Sequence, residues 1–179
     1  MRTIRLSRSP VRAPRGTLRR TLALGLVLAA VAGPAVARDS LGLFGGWGAF
    51  RDAGVPRCYA IALADPSAMS RERQPYAAIG TWPRRGERNQ VHFRLSRQIG
   101  SGAKPVLAIN GQRLTLAGSG GDAWSADRRM DAAIVAAMRS AGSMRVSARD
   151  GRGRPFVDVY TLAGAATAMD AATLGCARD

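Results

Sequence analysis

The stretch Asp131–Leu162, DAAIVAAMRSAGSMRVSARDGRGRPFVDVYTL, reads as a short apolar helix, a glycine stop, and two strands joined by a glycine-rich turn. Asp131 is the expected N-cap, because its carboxylate can accept the unpaired N–H groups of a first helical turn. Ile134, Val135 and Met138 fall on one helical face. Arg139 sits in the last turn, and Gly142 is expected to end the helix in the left-handed conformation. Beyond it, Met144–Arg149 and Pro155–Leu162 pair across Asp150-Gly151-Arg152-Gly153. With Arg149 opposite Arg154, Arg145 faces Asp158, a cross-strand pair worth at most about 1 kcal/mol.

Working outward, Pro105–Asn110 and Gln112–Ala117 flank an Asn110-Gly111 turn. Asn-Gly is the preferred type I′ pair because both residues tolerate positive φ. Ile109 opposite Gln112 puts Leu107 opposite Leu114, with Leu107, Ile109, Leu114 and Leu116 facing a core. Gln90–Ser96 alternates, with Val91, Phe93 and Leu95 on one face and His92, Arg94 and Ser96 on the other. Cys58–Ala64 and Tyr76–Trp82 read as strands, with Ser67–Gln74 a loop and Arg84–Asn89 a charged hairpin tip. Gly118–Asp122 (GSGGD) reads as a flexible loop, since no Gly-Lys-Ser/Thr or helix start follows to make it a phosphate loop. Ser40–Phe50 is glycine-rich, with Phe44, Trp47 and Phe50 three residues apart. An irregular lead-in that docks aromatics on the domain is expected there. Ala165–Leu174 is alanine-rich and helical, with Gly175 its expected stop. At least six strand candidates with hairpin connections and two short helices predict a mainly β fold. The expected form is an antiparallel β-sandwich or partly open barrel.

Residues 1–37 read as a cleavable signal peptide. Seven arginines and no acid precede the apolar run Thr21–Ala32, and Ala35-Val36-Ala37 gives the small-x-small cleavage pattern before Arg38. The apolar run is shorter than the roughly 20 residues a membrane span needs, so no span is expected after cleavage. The expected location is periplasmic, secreted or surface-associated. Residues 38–57 form the glycine-rich lead-in and residues 58–179 the β domain.

The whole chain carries a net charge of +15, and loss of the seven signal arginines leaves +8. A basic exported protein suits an envelope protein or an anionic envelope component, lipopolysaccharide or phospholipid, as partner. All but one of the basic residues are arginine, as GC-rich coding would also give. Nucleic acid is not expected without a recognised motif.

Cys58 and Cys176 lie near opposite ends of the exported chain, and a disulfide between them is the default in an oxidising compartment. It would tie a strand to the C-terminal helix. There is no CxxC pair for redox work. His92 is the only histidine, so with both cysteines paired no metal site is expected, and it reads as a surface residue. No cofactor and no catalytic set can be named, and a non-enzymatic binding protein is the leading expectation. A small hydrolase would need a serine and a carboxylate beside His92. A small-ligand carrier would need a cavity lined by the apolar strand faces.

The chain also resembles the invasion-associated locus B family of alphaproteobacterial exported proteins. The residues that carry this are Gly46-Trp47, Cys58-Tyr59-Ala60-Ile61-Ala62, Val106–Asn110, Ala123-Trp124, Asp131 through Ile134-Val135 to Ala137-Met138-Arg139, Met144-Arg145-Val146, Asp158–Gly164 and Cys176. Their order and spacing span most of the exported chain. The resemblance implies a small β-sandwich-like periplasmic or surface protein, some of whose relatives are linked to host-cell invasion. It brings no agreed biochemical activity and no catalytic residues.

Overall fold

In the computed structural model, which describes residues 38–52 and 54–177, the glycine-rich lead-in is a hairpin rather than irregular chain. Strand β1 (Asp39–Phe44) turns through Gly45-Gly46 into β2 (Trp47–Asp52). Gly42 and Gly45 adopt φ of 140° and 59°, at a bulge and at the turn. Glycine here supplies two backbone conformations the hairpin requires instead of breaking it. The expected docking of aromatics is met most fully by Trp47, which is buried and donates its indole N–H to the Thr161 carbonyl at 2.9 Å. The expected signal peptide, residues 1–37, lies outside the described residues.

The chain continues as β3 (Arg57–Leu63), β4 (Tyr76–Trp82) and β5 (Glu87–Arg94), with a short 3-10 turn at Pro83–Arg85. Then come β6 (Val106–Ile109), β7 (Gln112–Thr115), β8 (Ala117–Ser119) and β9 (Asp122–Trp124). Helix α1 (Arg128–Met138), β10 (Ser143–Arg149), β11 (Pro155–Thr161) and helix α2 (Ala165–Cys176) complete it. Seven strands form one antiparallel sheet in the order β1-β2-β3-β4-β5-β9-β8, and four form a second in the order β11-β10-β6-β7. Both sheets stay open, so the expected mainly β fold is a sandwich with two short helices, not a barrel. The segment expected as the GSGGD loop is the β8–β9 hairpin, turning at Gly120-Gly121.

The core lies between the sheets. Alternation points Val91, Phe93 and Leu95 inward from the larger sheet, and Leu107, Met144, Val146, Phe156 and Tyr160 inward from the smaller. Phe93 and Tyr160 meet across the sandwich with ring centroids 5.9 Å apart. The Asn110-Gly111 turn is as expected, with φ of 47° and 73°, and it sets Ile109 opposite Gln112 and Leu107 opposite Leu114. Helix α1 covers β5 with Ile134, Val135 and Met138 buried, and α2 packs on β1 to β4. The Cys58–Cys176 disulfide joins β3 to the last residue of α2, as expected, and is compatible with export into an oxidising compartment.

Three local expectations change. The N-cap of α1 is Asp127, whose carboxylate accepts the Met130 N–H at 2.8 Å, and Asp131 lies within the first turn of the helix. The helix ends through Arg139 in right-handed geometry, and Gly142 is not among the glycines with positive φ. Its carbonyl instead accepts the Leu162 N–H at 3.0 Å. Helix α2 runs through Gly175, where Leu41 of β1 packs close against the helix.

The β10–β11 register also differs, by one residue. The Asp150 N–H donates to the Arg154 carbonyl, and the Asp150 carboxylate accepts the N–H groups of Arg152 and Arg154 at 2.9 and 3.0 Å. That closes the turn tighter than expected, so Arg149 stands opposite Pro155 and Arg145 opposite Val159. Asp158 pairs with Val146 and points into the core, where it is fully buried.

Candidate ligand-binding face

The outward face of the larger sheet is not the plain polar surface that alternation alone leads one to expect. Side chains pointing away from the core on β3, β4, β5 and β9 include Tyr59, Tyr76, Trp82, His92, Arg94, Asp122 and Trp124, and they enclose a groove of about 630 Å³. The pairing explains its shape. One cross-strand row runs Ile61, Ala78, His92, Trp124, and the next runs Phe50, Tyr59, Gly80, Gln90. Small residues on β4 thus form a floor between larger side chains on both sides. The six-membered part of the Trp82 indole lies over Gly80, where any β-carbon would collide with it.

Charge and aromaticity alternate across this face. His92 Nε2 lies 2.9 Å from Asp122 Oδ1, and Arg94 Nε donates to the same oxygen at 3.3 Å. The imidazole is stacked on Trp124, centroids 5.3 Å apart, and meets the edge of Tyr76 at 5.5 Å. The Arg57 guanidinium sits 4.8 Å over the Tyr59 ring and Arg94 lies 5.8 Å from that of Tyr76, both cation–π distances. Arg57 also donates to Asp52 at 3.5 Å, and Arg38 lines the same groove. Of the three arginines lining the groove, Arg57 is paired with Asp52 and Arg94 with Asp122, which leaves the groove with a net positive charge of one at neutral pH.

His92 is therefore on the outward face, as expected, yet half-buried and held by a carboxylate. That supplies one of the two partners a hydrolytic site would need. Among the described residues, the groove lining contains no serine, threonine or cysteine to act as nucleophile. Among the described residues no group of three histidine, cysteine or carboxylate side chains could hold a metal ion. No helix among them is long and apolar enough to cross a membrane. The space between the sheets, where a carried ligand would sit, is occupied by Phe93, Leu107, Met138, Met144 and Tyr160. A second surface hollow of about 700 Å³ lies between residues 99–104 and β8, but small residues dominate it and Lys104 is its one charged side chain.

A separate polar cluster is structural in character. The buried Arg97 donates to the Ser70 carbonyl at 2.7 and 3.0 Å and to Asp150 at 3.3 Å, while Arg154 meets Asp150 at 2.8 Å. Burial raises the Asp150 carboxyl, but hydrogen bonds from Arg154 and Arg152 and the charge of Arg154 outweigh it and hold the group at about 2. The Asp158 carboxyl is raised by burial, opposed in part by hydrogen bonding from Ser96 and by the charges of Arg71 and Arg97. Burial, and then the neighbouring Asp158, also push the Tyr160 hydroxyl up.

Sequence reasoning missed the groove because each of its strands, taken singly, reads as ordinary alternation. The available signal was the aromatic content of the outward positions, Tyr59, Tyr76, Trp82 and Trp124, where solvated strands carry charged and small polar residues. Comparison with family models, with curated proteins and with solved structures returned no match.

Proposed function

We propose that this chain is an exported, envelope-associated binding protein without catalytic activity, of the kind its resemblance to the invasion-associated locus B family implies. Its binding surface is the outward face of the larger sheet, and its ligand is an anionic component of the cell envelope. The observation that carries this reading is the groove, in which Arg38, Arg57 and Arg94 are interleaved with Tyr59, Tyr76, Trp82 and Trp124. Solvated sheet faces do not gather half-buried aromatics and cations in one concavity, whereas ligand sites combine an apolar lining with a few convergent polar groups. The signal sequence and the disulfide support a location outside the cytoplasm.

The test uses the exported form, residues 38–179, against purified lipopolysaccharide and vesicles containing phosphatidylglycerol. Binding by the wild type, weakened by added salt and lost in Arg38→Glu/Arg94→Glu, is the expected result. Binding to neither material, or binding unaffected by those two charge reversals, overturns the proposal.

A further inference from the structure

We infer that the groove on the larger sheet is a saccharide site, built for a short acidic oligosaccharide whose rings lie across the strands. The inference rests on the binding-face reading above and names its ligand class. From β3 to β9 the face crosses three strand spacings, about 14 Å at the usual separation of neighbouring strands. Along that length, the half-buried rings of Tyr76, Trp82 and Trp124 alternate with charge, while Tyr59 is buried beneath Arg57. Arg57 lies over Tyr59, Trp82 covers Gly80, and Arg94 flanks Tyr76. A ligand matching this face must itself alternate apolar patches with negative groups at short intervals. A pyranose ring offers an apolar C–H face to an indole or phenol ring and polar groups at its rim. A chain of uronic-acid residues adds a carboxylate to each ring, which a guanidinium can take in a forked hydrogen bond.

Two features of the groove select this class over other anions. The floor is a hydrogen-bonded sheet with Ile79, Val91 and Phe93 packed beneath it at 4% exposure or less. An acyl chain therefore finds no cleft to enter, and a phospholipid would keep most of its apolar surface in water. The Asp122 carboxylate stands inside the groove, shared between His92 and Arg94. A carboxylate there repels any anionic group set against it but accepts the hydroxyl hydrogens of a sugar, donors that a phosphodiester group does not carry. The Gln90 amide, on the same face, offers both a donor and an acceptor.

The experiment is tryptophan-fluorescence titration of the exported form with trigalacturonate, with cellotriose as its uncharged counterpart. Of the three tryptophans, Trp47 is buried in the core and Trp82 and Trp124 report on the groove. Saturable change with trigalacturonate is expected, with cellotriose binding about tenfold or more weaker, the equivalent of one charge-assisted hydrogen bond. Trp124→Ala and Arg94→Gln should each weaken trigalacturonate about tenfold or more while the far-ultraviolet circular dichroism stays that of the wild type. Arg94→Gln, at a half-exposed position, keeps the test readable if removal of Trp124 disturbs the sheet. Binding to phosphatidylglycerol vesicles or to oligothymidylate in place of trigalacturonate overturns the saccharide inference. The binding-face proposal stands in the vesicle case if the Arg38→Glu/Arg94→Glu variant loses the same interaction, and binding of oligothymidylate alone overturns both. Failure of every probe overturns both.

Discussion

The Asp131 carboxylate, on the first turn of α1, accepts the backbone N–H of Val91 on β5 at 2.7 Å. Val91 lies just beyond the reach of β9, which pairs with β5 only from His92 to Arg94. Its N–H would otherwise be a buried strand donor without an acceptor, and the helix supplies the acceptor that the neighbouring strand cannot. The same oxygen takes the Ser125 hydroxyl, so one carboxylate fixes helix, strand and connecting loop together. Asp131→Ala should therefore destabilise by about 2 kcal/mol, the cost of leaving a buried donor unpaired. Thermal unfolding should show a fall of about 4–8 °C in Tm. An unchanged Tm would mean that the bond contributes nothing net.

The Cys58–Cys176 disulfide closes a loop of 118 residues in sequence separation. The chain-entropy model gives about 4–5 kcal/mol for a loop of this length, as an upper figure. Cys58→Ala/Cys176→Ala is expected to lower the urea midpoint with little change in the circular dichroism of the native state. Intact mass under non-reducing conditions, with alkylation, checks the bond and the processing together. The expected species begins at Arg38, is two hydrogens lighter than the reduced chain and takes up no alkylating agent.

Two buried carboxyls make stability respond to pH in opposite directions. Asp158 is raised in the folded protein, so its contribution is fully present below its unfolded value near 4 and is lost as pH rises through its folded value. Asp158→Asn, which keeps the shape and removes the charge, should gain stability relative to the wild type between about pH 4 and pH 7. Asp150 is held at about 2. Its contribution is present above about pH 4 and is lost as pH falls toward its folded value. Asp150→Asn should therefore be markedly destabilising at pH 7 and much less so at about pH 2. Urea unfolding of both variants across that range reads the two slopes. Parallel slopes for the pair would contradict these assignments.

Gly80 is the one point on the groove floor where a single methyl group reshapes the site. A β-carbon there meets the Trp82 indole, so Gly80→Ala should lift that ring from the sheet. The expected readout is a red shift of tryptophan emission and weaker binding of whichever anionic ligand the face takes. The change in Tm should be smaller than for Asp131→Ala, since the displaced ring moves into solvent and not into packed core. An emission spectrum identical to the wild type would show that Trp82 does not lie over Gly80 in solution.

The sequence by itself determined some of the local features. Asn110-Gly111 specified its turn and, through it, the pairing of Leu107 with Leu114, because a two-residue loop with positive φ admits one register. The alternation of Val91, Phe93 and Leu95 specified which face of β5 is buried, and the two cysteines specified their bond once export was inferred. Tertiary structure decided whatever depended on residues far apart in the chain. The hairpin of β1 and β2 forms despite its glycines because Trp47 finds a core and a carbonyl on β11 to bind. Asp158 points inward because the Asp150 carboxylate tightens a turn by one residue, a hydrogen-bonding detail that composition does not reveal. The groove exists only because β9 returns to β5 after β6 and β7 have left for the other sheet, bringing Trp124 and Asp122 beside His92. Local periodicity encodes which side of a strand meets water. Which strands become neighbours is decided by the burial of the whole chain, and that is where the binding face arises.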